Sequence, residues 1–206
     1  MARKSKQYEG HDSSDRSRIC SLSDCIIAFA MTLLAFQIVI PSPATTAGTE
    51  LPNAVADLWP KFVSYIFGFI MIGYYWMLHH RVIAKIVRFD NVTLWLNIGF
   101  LLAIVLMPFS AALIGEYEEH AFSATLFAAN CGLIGIMLSM ISYHALKQGA
   151  FLDEAYMKNE RYYLMRGMLP AIVFIASIPV AQFSVHVAVL MWLSIPFLLL
   201  FLKKKR

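Results

Sequence analysis

Polar side chains within long apolar stretches are the first candidates for chemistry in this sequence. Asp24, the doublet His79-His80 and Asn97 each fall within a long, mainly apolar stretch. Counted along helices at about 1.5 Å per residue, they fall at similar depth and can form one hydrogen-bonded cluster. A carboxylate beside an imidazole can relay protons or hold an ion. We favour the structural alternative, a polar clasp that fixes three helices in register, because a self-satisfied buried network costs little and specifies packing.

Other kinds of chemistry find little support in the residue types. No nucleophile is evident beside the cluster, so an enzyme is not expected. One His-His doublet without further ligands is weak support for a metal site. Cys20, Cys25 and Cys131 form no Cys-x-x-Cys pair, which predicts neither a disulfide framework nor zinc. We therefore expect no metal and no cofactor.

The elements that position these residues are expected to be membrane-spanning helices. Of the 206 residues, 59% are hydrophobic and 15% are charged, which does not suit a water-soluble fold. A span needs roughly 20 apolar residues. The sequence therefore predicts an all-α integral membrane protein with six transmembrane helices, at about residues 18–40, 55–81, 92–114, 120–146, 163–180 and 185–202. The six spans form one domain, 18–202. A polar tail, 1–17, precedes it and a basic tail, 203–206, follows it. The turn between the last two spans is expected at 179–186.

The basic residues predict the orientation of the helices. Every lysine and arginine except Lys61 falls on one side of the six predicted spans. Because lysine and arginine concentrate in cytoplasmic loops, both termini should be cytoplasmic. The net charge of +4 is then a topology signal. Since no basic patch interleaved with aromatic residues appears, a nucleic-acid partner is not expected.

One face of the first predicted helix carries large apolar side chains. At about 100° per residue, this face holds Leu22, Phe29, Thr32, Leu33 and Phe36. Ser23 and Asp24 point away from it. Periodicity alone leaves open whether such a stripe contacts lipid or packs in a core.

Four motifs resemble those of a known family. They are Arg18-x-x-x-Leu22-Ser23-Asp24, Trp76-x-x-His79-His80-Arg81, Leu94-Trp95-Leu96-Asn97 and Pro108-Phe109. With them, the sequence resembles the transmembrane protein 175 family of lysosomal and prokaryotic potassium channels. The resemblance implies a potassium-permeable channel in a prokaryotic cytoplasmic membrane, with K⁺ as the permeant ion. It also implies a homotetramer in which the first helix lines a central pore.

The resemblance further implies roles for individual residues. Phe29 takes the place of an apolar pore constriction, Leu33 and Phe36 form the next apolar layers, and Thr32 matches a threonine linked to cation selectivity. The signature residues are implied to form an interhelical polar network: Arg18, Ser23, Asp24, Trp76, His79, His80 and Asn97. For Arg18, a position facing the pore entrance stays open as well.

The sequence departs from the family pattern at three positions. Leu22 replaces the signature phenylalanine, and Phe29 and Phe36 stand where aliphatic side chains are usual. Four phenylalanines around one axis can narrow or dewet a pore more than isoleucine or leucine. Conductance and selectivity are therefore the properties that these departures affect.

No Thr-Val-Gly-Tyr-Gly segment is present, so a filter of carbonyl rings is not expected. An apolar constriction would instead gate the pore by dewetting.

Two other functional classes remain alternatives to a channel. The first is a proton-coupled secondary transporter that uses Asp24 and His79, although such proteins usually have internal repeats. The second is a structural membrane scaffold.

Overall fold

The computed structural model describes residues 2–42, 51–86, 89–150 and 160–201 of the chain. The helices in these residues are α1 Ala2–Ala35, α2 Leu51–Ala56, α3 Trp59–Ile83, α4 Asn91–Glu116, α5 Ala121–Lys147, α6 Glu160–Ala181, α7 Val185–Leu193 and α8 Ile195–Phe201.

Five helical segments are long and apolar enough to cross a membrane. They are Arg16–Ala35, Leu51–Ile83, Asn91–Glu116, Ala121–Lys147 and Leu164–Ala181. The chain is therefore an all-α, multi-pass membrane protein, as the sequence predicts.

The predicted sixth span, 185–202, is shorter and broken in the structure. The apolar segment Val185–Leu199 falls below the length of the other five, and it is interrupted at Ser194, between α7 and α8. Pro196 explains the break, because proline has no N–H to donate and its ring clashes with the carbonyl four residues earlier. The predicted basic tail, 203–206, lies outside the described residues.

Helix α1 begins and ends earlier than the predicted span. It already begins at Ala2, in the predicted tail 1–17, where several Ala, Arg, Lys, Gln and Glu residues favour a helix. Its apolar part is Arg16–Ala35. The helix stops at Ala35, where the chain leaves it through tight turns. The Gln37 N–H donates to the Leu34 carbonyl at 3.3 Å, and the Ile38 N–H donates to the Ala35 carbonyl at 3.2 Å.

The turn between the last two predicted spans is also displaced. Helix α6 continues through Pro179 to Ala181, so the turn comprises the residues between Ala181 and Val185 and not the predicted 179–186. Ser184 ends the turn, because its Oγ accepts a hydrogen bond from the backbone N–H of Val187 at 3.4 Å and caps α7.

The long helices α3, α4, α5 and α6 run antiparallel to their neighbours in sequence and form a bundle with two distinct ends. At the Glu116 end, α3 begins and α4 finishes, and Lys61 Nζ lies 2.6 Å from Glu116 Oε2. At the Asp90 end, α4 begins and α5 finishes, and His144 Nε2 lies 2.8 Å from Asp90 Oδ2. Helix α1 runs from the Asp90 end to the Glu116 end, where Gln37 lies beside Lys61.

Glycines allow α5 and α6 to approach closely. A Cβ on Gly132 would lie 2.8 Å from Ile175 Cγ1, and a Cβ on Gly135 would lie 2.8 Å from Ala171 Cβ. Since both distances are shorter than real Cβ contacts, any larger residue would push the helices apart. Small residues thus determine the separation of these two helices.

Candidate functional site

Two sets of hydrogen bonds join α1 to the neighbouring helices. Trp76 Nε1–H in α3 donates to Asp24 Oδ1 at 2.8 Å. Asn97 Nδ2–H in α4 donates to Ser23 Oγ at 3.1 Å. Asn97 Oδ1 lies 2.7 Å from His79 Nε2 in α3. We call these five side chains the polar anchor.

The hydrogen bonds of the anchor determine which nitrogen of His79 carries a proton. Asn97 uses its amide N–H toward Ser23, so its Oδ1 is an acceptor and His79 Nε2 must donate. A neutral imidazole is sufficient for this bond. The ring of His79 is buried and stacks on Phe100, with ring centroids 4.6 Å apart and planes at 7°. His79 is therefore held in one orientation by α4.

His80 and Arg18 do not take part in the hydrogen bonds of the anchor among the described residues. His80 follows His79 by about 100° around α3, so only one of the two can face α4. His80 is exposed and its ring lies 5.8 Å from that of Trp76. Arg18 is also exposed, more than one turn before Asp24. In the single chain both residues lie beside the anchor, and their membership of the network stays a prediction.

The two faces of α1 lie in opposite surroundings. Ile27, Ala30 and Leu34 are buried against the bundle, with Ile27 only 1% exposed. Leu34 reaches α3, where its Cδ2 lies 3.1 Å from the position that a Cβ on Gly68 would occupy. Phe29, on the other face, is 60% exposed in the single chain. The anchor and this packing together fix which face of α1 is left uncovered.

The remaining residues of the predicted stripe lie on or beside the uncovered face. Thr32 is exposed and Leu33 is half-buried. Phe36 is 80% exposed, but it lies in the turn after Ala35 and not on the helix, so the regular projection does not apply to it. Thr32 Oγ1–H donates to the carbonyl of Phe29 at 2.7 Å.

A further polar cluster at the Asp90 end is absent from the predictions. Asp90 caps α4: its Oδ1 accepts from Thr93 N–H at 2.9 Å and from Thr93 Oγ1–H at 2.6 Å. Its Oδ2 accepts from His144 at 2.8 Å and from Gln148 Nε2–H at 2.9 Å. These hydrogen bonds, first those from Thr93 and then that from His144, hold the pKa of the Asp90 carboxyl well below its usual value.

One part of this cluster could have been predicted from the sequence, because an acidic residue stands immediately before a predicted helix. Asp90 precedes α4, and Thr93 follows at the spacing typical of a capping residue and its partner. His144 and Gln148 give no comparable signal, since they meet Asp90 only through the packing of α4 on α5. Among the described residues, no three His, Cys, Asp or Glu side chains are grouped to hold a metal ion.

Comparison with known proteins connects these features to a family. A family model described as the endosomal/lysosomal potassium channel TMEM175 matches residues 18–108, which include α3 and the whole polar anchor. A solved structure, of a lysosomal potassium-selective channel TMEM175 homologue from Chamaesiphon minutus, superimposes with a TM-score of 0.76. It covers 92% of this chain and 96% of its own, at 23% identity. The predicted resemblance to the TMEM175 family is confirmed.

The curated relatives named here are described as channels. A potassium channel of Chamaesiphon minutus is 27% identical over 155 residues, 74% of this chain and 76% of that protein. A potassium channel of Streptomyces collinus is 26% identical over 144 residues, 68% of this chain and 69% of that protein. The endosomal/lysosomal proton channel TMEM175 of Danio rerio is 24% identical over 75% of this chain and 30% of its own length. These relatives are channels and not enzymes, in agreement with the sequence prediction.

Proposed function

We propose that this protein is a potassium-permeable cation channel, formed by four copies of the chain around a central pore that α1 lines. The relatives named above support ion conduction, because two of them are described as potassium channels. A single helix cannot enclose a pathway, so several copies must contribute walls. The proposal places the channel in a prokaryotic cytoplasmic membrane, with both termini in the cytoplasm.

The contrast between the two faces of α1 is the observation that carries this proposal. One face is buried and hydrogen-bonded to α3 and α4 through the polar anchor. The other face, opposite the one that packs on α3 and α4, exposes Phe29 and Thr32. An uncovered face with these two groups can line a pore between copies of the chain. The Thr32 hydroxyl donates to the backbone of its own helix, so its oxygen can still face water or a cation there.

Phe29 is the proposed constriction of the pore. Four phenylalanine rings around the axis would form an apolar ring that water leaves readily, so the closed state would be a dewetted barrier. Conduction then requires α1 to turn or tilt until an ion that has lost much of its water can pass. Potassium holds its water less tightly than sodium, so potassium crosses such a barrier more easily.

The proposed role of Thr32 is to replace part of the water that the ion loses at the constriction. Its hydroxyl proton is already donated to the Phe29 carbonyl. The oxygen lone pairs are thereby left as acceptors, and an acceptor oxygen is the group that a cation needs. The same hydrogen bond links the selectivity residue to the residue at the constriction. We expect selectivity from such a ring of hydroxyls to be modest.

The polar anchor has a structural role in this account. It holds α1 to α3 through Asp24 and Trp76, and to α4 through Ser23 and Asn97. A proton-coupled transporter would need Asp24 and His79 to exchange protons, but each side chain is bonded to a different partner. The named relatives do not favour the transporter either.

A planar bilayer experiment separates the three functional classes. Purified protein is incorporated with potassium on one side and sodium on the other. A channel gives discrete current steps and a reversal potential shifted toward the equilibrium potential of potassium. Saturable uptake driven by a pH gradient, without current steps, would support the transporter instead. If neither current nor uptake is observed, the structural scaffold is the class that remains.

A further inference from the structure

A cavity lies at the Glu116 end of the bundle, away from the uncovered face of α1. It has a volume of about 600 Å³ and lies between α3, α7 and the turn that joins α4 to α5. Its walls include the aromatic side chains Trp59, Phe67 and Trp192, and its rim includes Glu118 and Glu119. The volume falls within the range of about 300–1,000 Å³ that is typical of small-molecule sites.

The inner wall of this cavity is fixed by packing. Trp192 is buried, and its Nε1–H donates to Ser177 Oγ in α6 at 2.7 Å. Its ring stacks on Phe67 of α3, with centroids 5.9 Å apart and planes at 15°. Because the Trp192 ring is held by α6 through Ser177 and by α3 through Phe67, the apolar wall is already formed without a ligand. A ligand would not have to order it.

The rim of the cavity carries negative charge without a matching cation. Glu118 and Glu119 are exposed and make no hydrogen bond or ion pair within the described residues. Glu116 differs, because it is paired with Lys61. No lysine or arginine is among the residues that line the cavity, and His186 is the other titratable side chain there. A ligand that complements both the apolar walls and the acidic rim must therefore carry a positive charge.

We propose that this cavity binds an organic ammonium ion that carries an aromatic or aliphatic body. The body would lie against the apolar wall to which Phe67 and Trp192 contribute. The ammonium group would lie beside Glu118 and Glu119, and the face of Trp59 adds a cation–π attraction at the same rim.

Other occupants fit this combination less well. An anionic phospholipid would bring its phosphate next to two carboxylates, which repel it. A second copy of the chain in the same orientation offers no free basic side chain at this end. The described lysines and arginines other than Lys61 lie toward the Asp90 end, and Lys61 is paired. A small cation with an apolar body is complementary to both parts of the cavity.

The test is a binding measurement that does not depend on ion conduction. Tritiated 4-phenylbutyl-trimethylammonium is bound to the full chain in nanodiscs of phosphatidylglycerol, a lipid without an ammonium group, and empty nanodiscs give the background. We expect saturable binding. The neutral isostere, in which carbon replaces the quaternary nitrogen, should compete about tenfold more weakly, because it loses the charge interaction.

Matched variants locate the binding. Glu118→Gln combined with Glu119→Gln should weaken binding about tenfold, whereas Asp57→Asn, at an exposed acid that does not line the cavity, should not change it. Val63→Trp should remove binding by filling the space, with Val105→Trp on α4 as its control.

Three results would overturn the proposal: binding that never saturates above the empty nanodiscs, equal competition by the neutral isostere, or unchanged affinity in the glutamine double variant. The glutamine changes lie at exposed positions, so they test the site even if the cavity-filling variant does not fold. Because no current is measured, a failure here leaves the proposed channel function untouched.

Discussion

Thr32 is the residue at which the proposed selectivity can be tested most simply. Replacing it by alanine or valine removes the only hydroxyl oxygen of this side chain, so the potassium-to-sodium permeability ratio should fall. We expect a decrease of about threefold, which corresponds to about 0.7 kcal/mol of differential stabilisation. Thr32→Ser keeps the hydroxyl and should keep the ratio. Reversal potentials under bi-ionic conditions measure it, and an unchanged ratio in the alanine and valine variants would exclude this role.

Asp90 predicts a pH dependence of stability at the residue scale. Its folded-state pKa is lowered, so its contribution is fully present above the unfolded value of about 4 and is lost as the pH falls below it. Asp90→Asn keeps a capping side chain but removes the charge. We expect this variant to lose less thermal stability than the wild type between neutral and strongly acidic pH.

Asp90→Ala serves as the comparison for this pH effect. It removes the cap itself and should lower the free energy of unfolding by about 1 kcal/mol at neutral pH. Thermal unfolding in detergent measures both variants. If the asparagine variant lost stability with falling pH as steeply as the wild type, the hydrogen bonds of Asp90 would not carry the effect.

Some of the polar anchor could be predicted from single residues, and some could not. Counting the rise along each helix brought Asp24, His79 and Asn97 to one depth. The structure joins His79 to Asn97 by a hydrogen bond, whereas Asp24 bonds Trp76 in a separate set. Depth alone could not choose between His79 and His80, since that choice depends on how α3 is rotated against α4. His144, the partner of Asp90, was missed because its contact depends on the register of two separate helices.

At the scale of elements, glycine spacing in α5 predicts a packing effect. Gly135→Ala would place a Cβ 2.8 Å from Ala171 Cβ. Because Ala171 Cβ is attached directly to the backbone of α6, it can move away only if α6 itself moves. We expect the free energy of unfolding to fall by about 1–3 kcal/mol, as for other overpacked interiors. Thermal unfolding in detergent measures the change.

Gly73 in α3 is the matched control for this substitution. A Cβ there would meet only Met31 Cε, at an ordinary 3.8 Å. Gly73→Ala should therefore be neutral, or stabilising by up to about 1 kcal/mol through helix propensity. Equal effects of the two alanine substitutions would mean that close packing of α5 on α6 is not what Gly135 provides.

The positions of the long helices followed from hydropathy, but their ends did not. Length and apolar content are properties of a segment, so α3, α4 and α5 lie within a few residues of the predicted spans. The ends depend on proline chemistry and local capping. Helix α1 ends six residues before Pro41, Pro179 does not stop α6, and Pro196 divides the last segment. Composition counts a proline but does not say whether neighbouring packing will tolerate it.

At the scale of the whole molecule, the account predicts four copies around the uncovered face of α1. Native mass spectrometry should give four chain masses. With Cys20 and Cys25 replaced by serine, Phe29→Cys should form disulfide-linked dimers on oxidation, because copies of this residue meet near the axis. Leu102→Cys, an exposed apolar position on α4, should not. Equal cross-linking at both positions would contradict the predicted arrangement.

The current through Phe29→Ala is the most direct test of the central claim that α1 lines the pore with Phe29 at its constriction. Removing four rings should wet the barrier and raise the potassium current in planar bilayers by about tenfold or more, since each 1.4 kcal/mol taken from a barrier is a factor of ten. Leu102→Ala, at an exposed apolar residue on α4, should leave the current unchanged. A Phe29→Ala current equal to that of the wild type and of Leu102→Ala would mean that ions pass elsewhere.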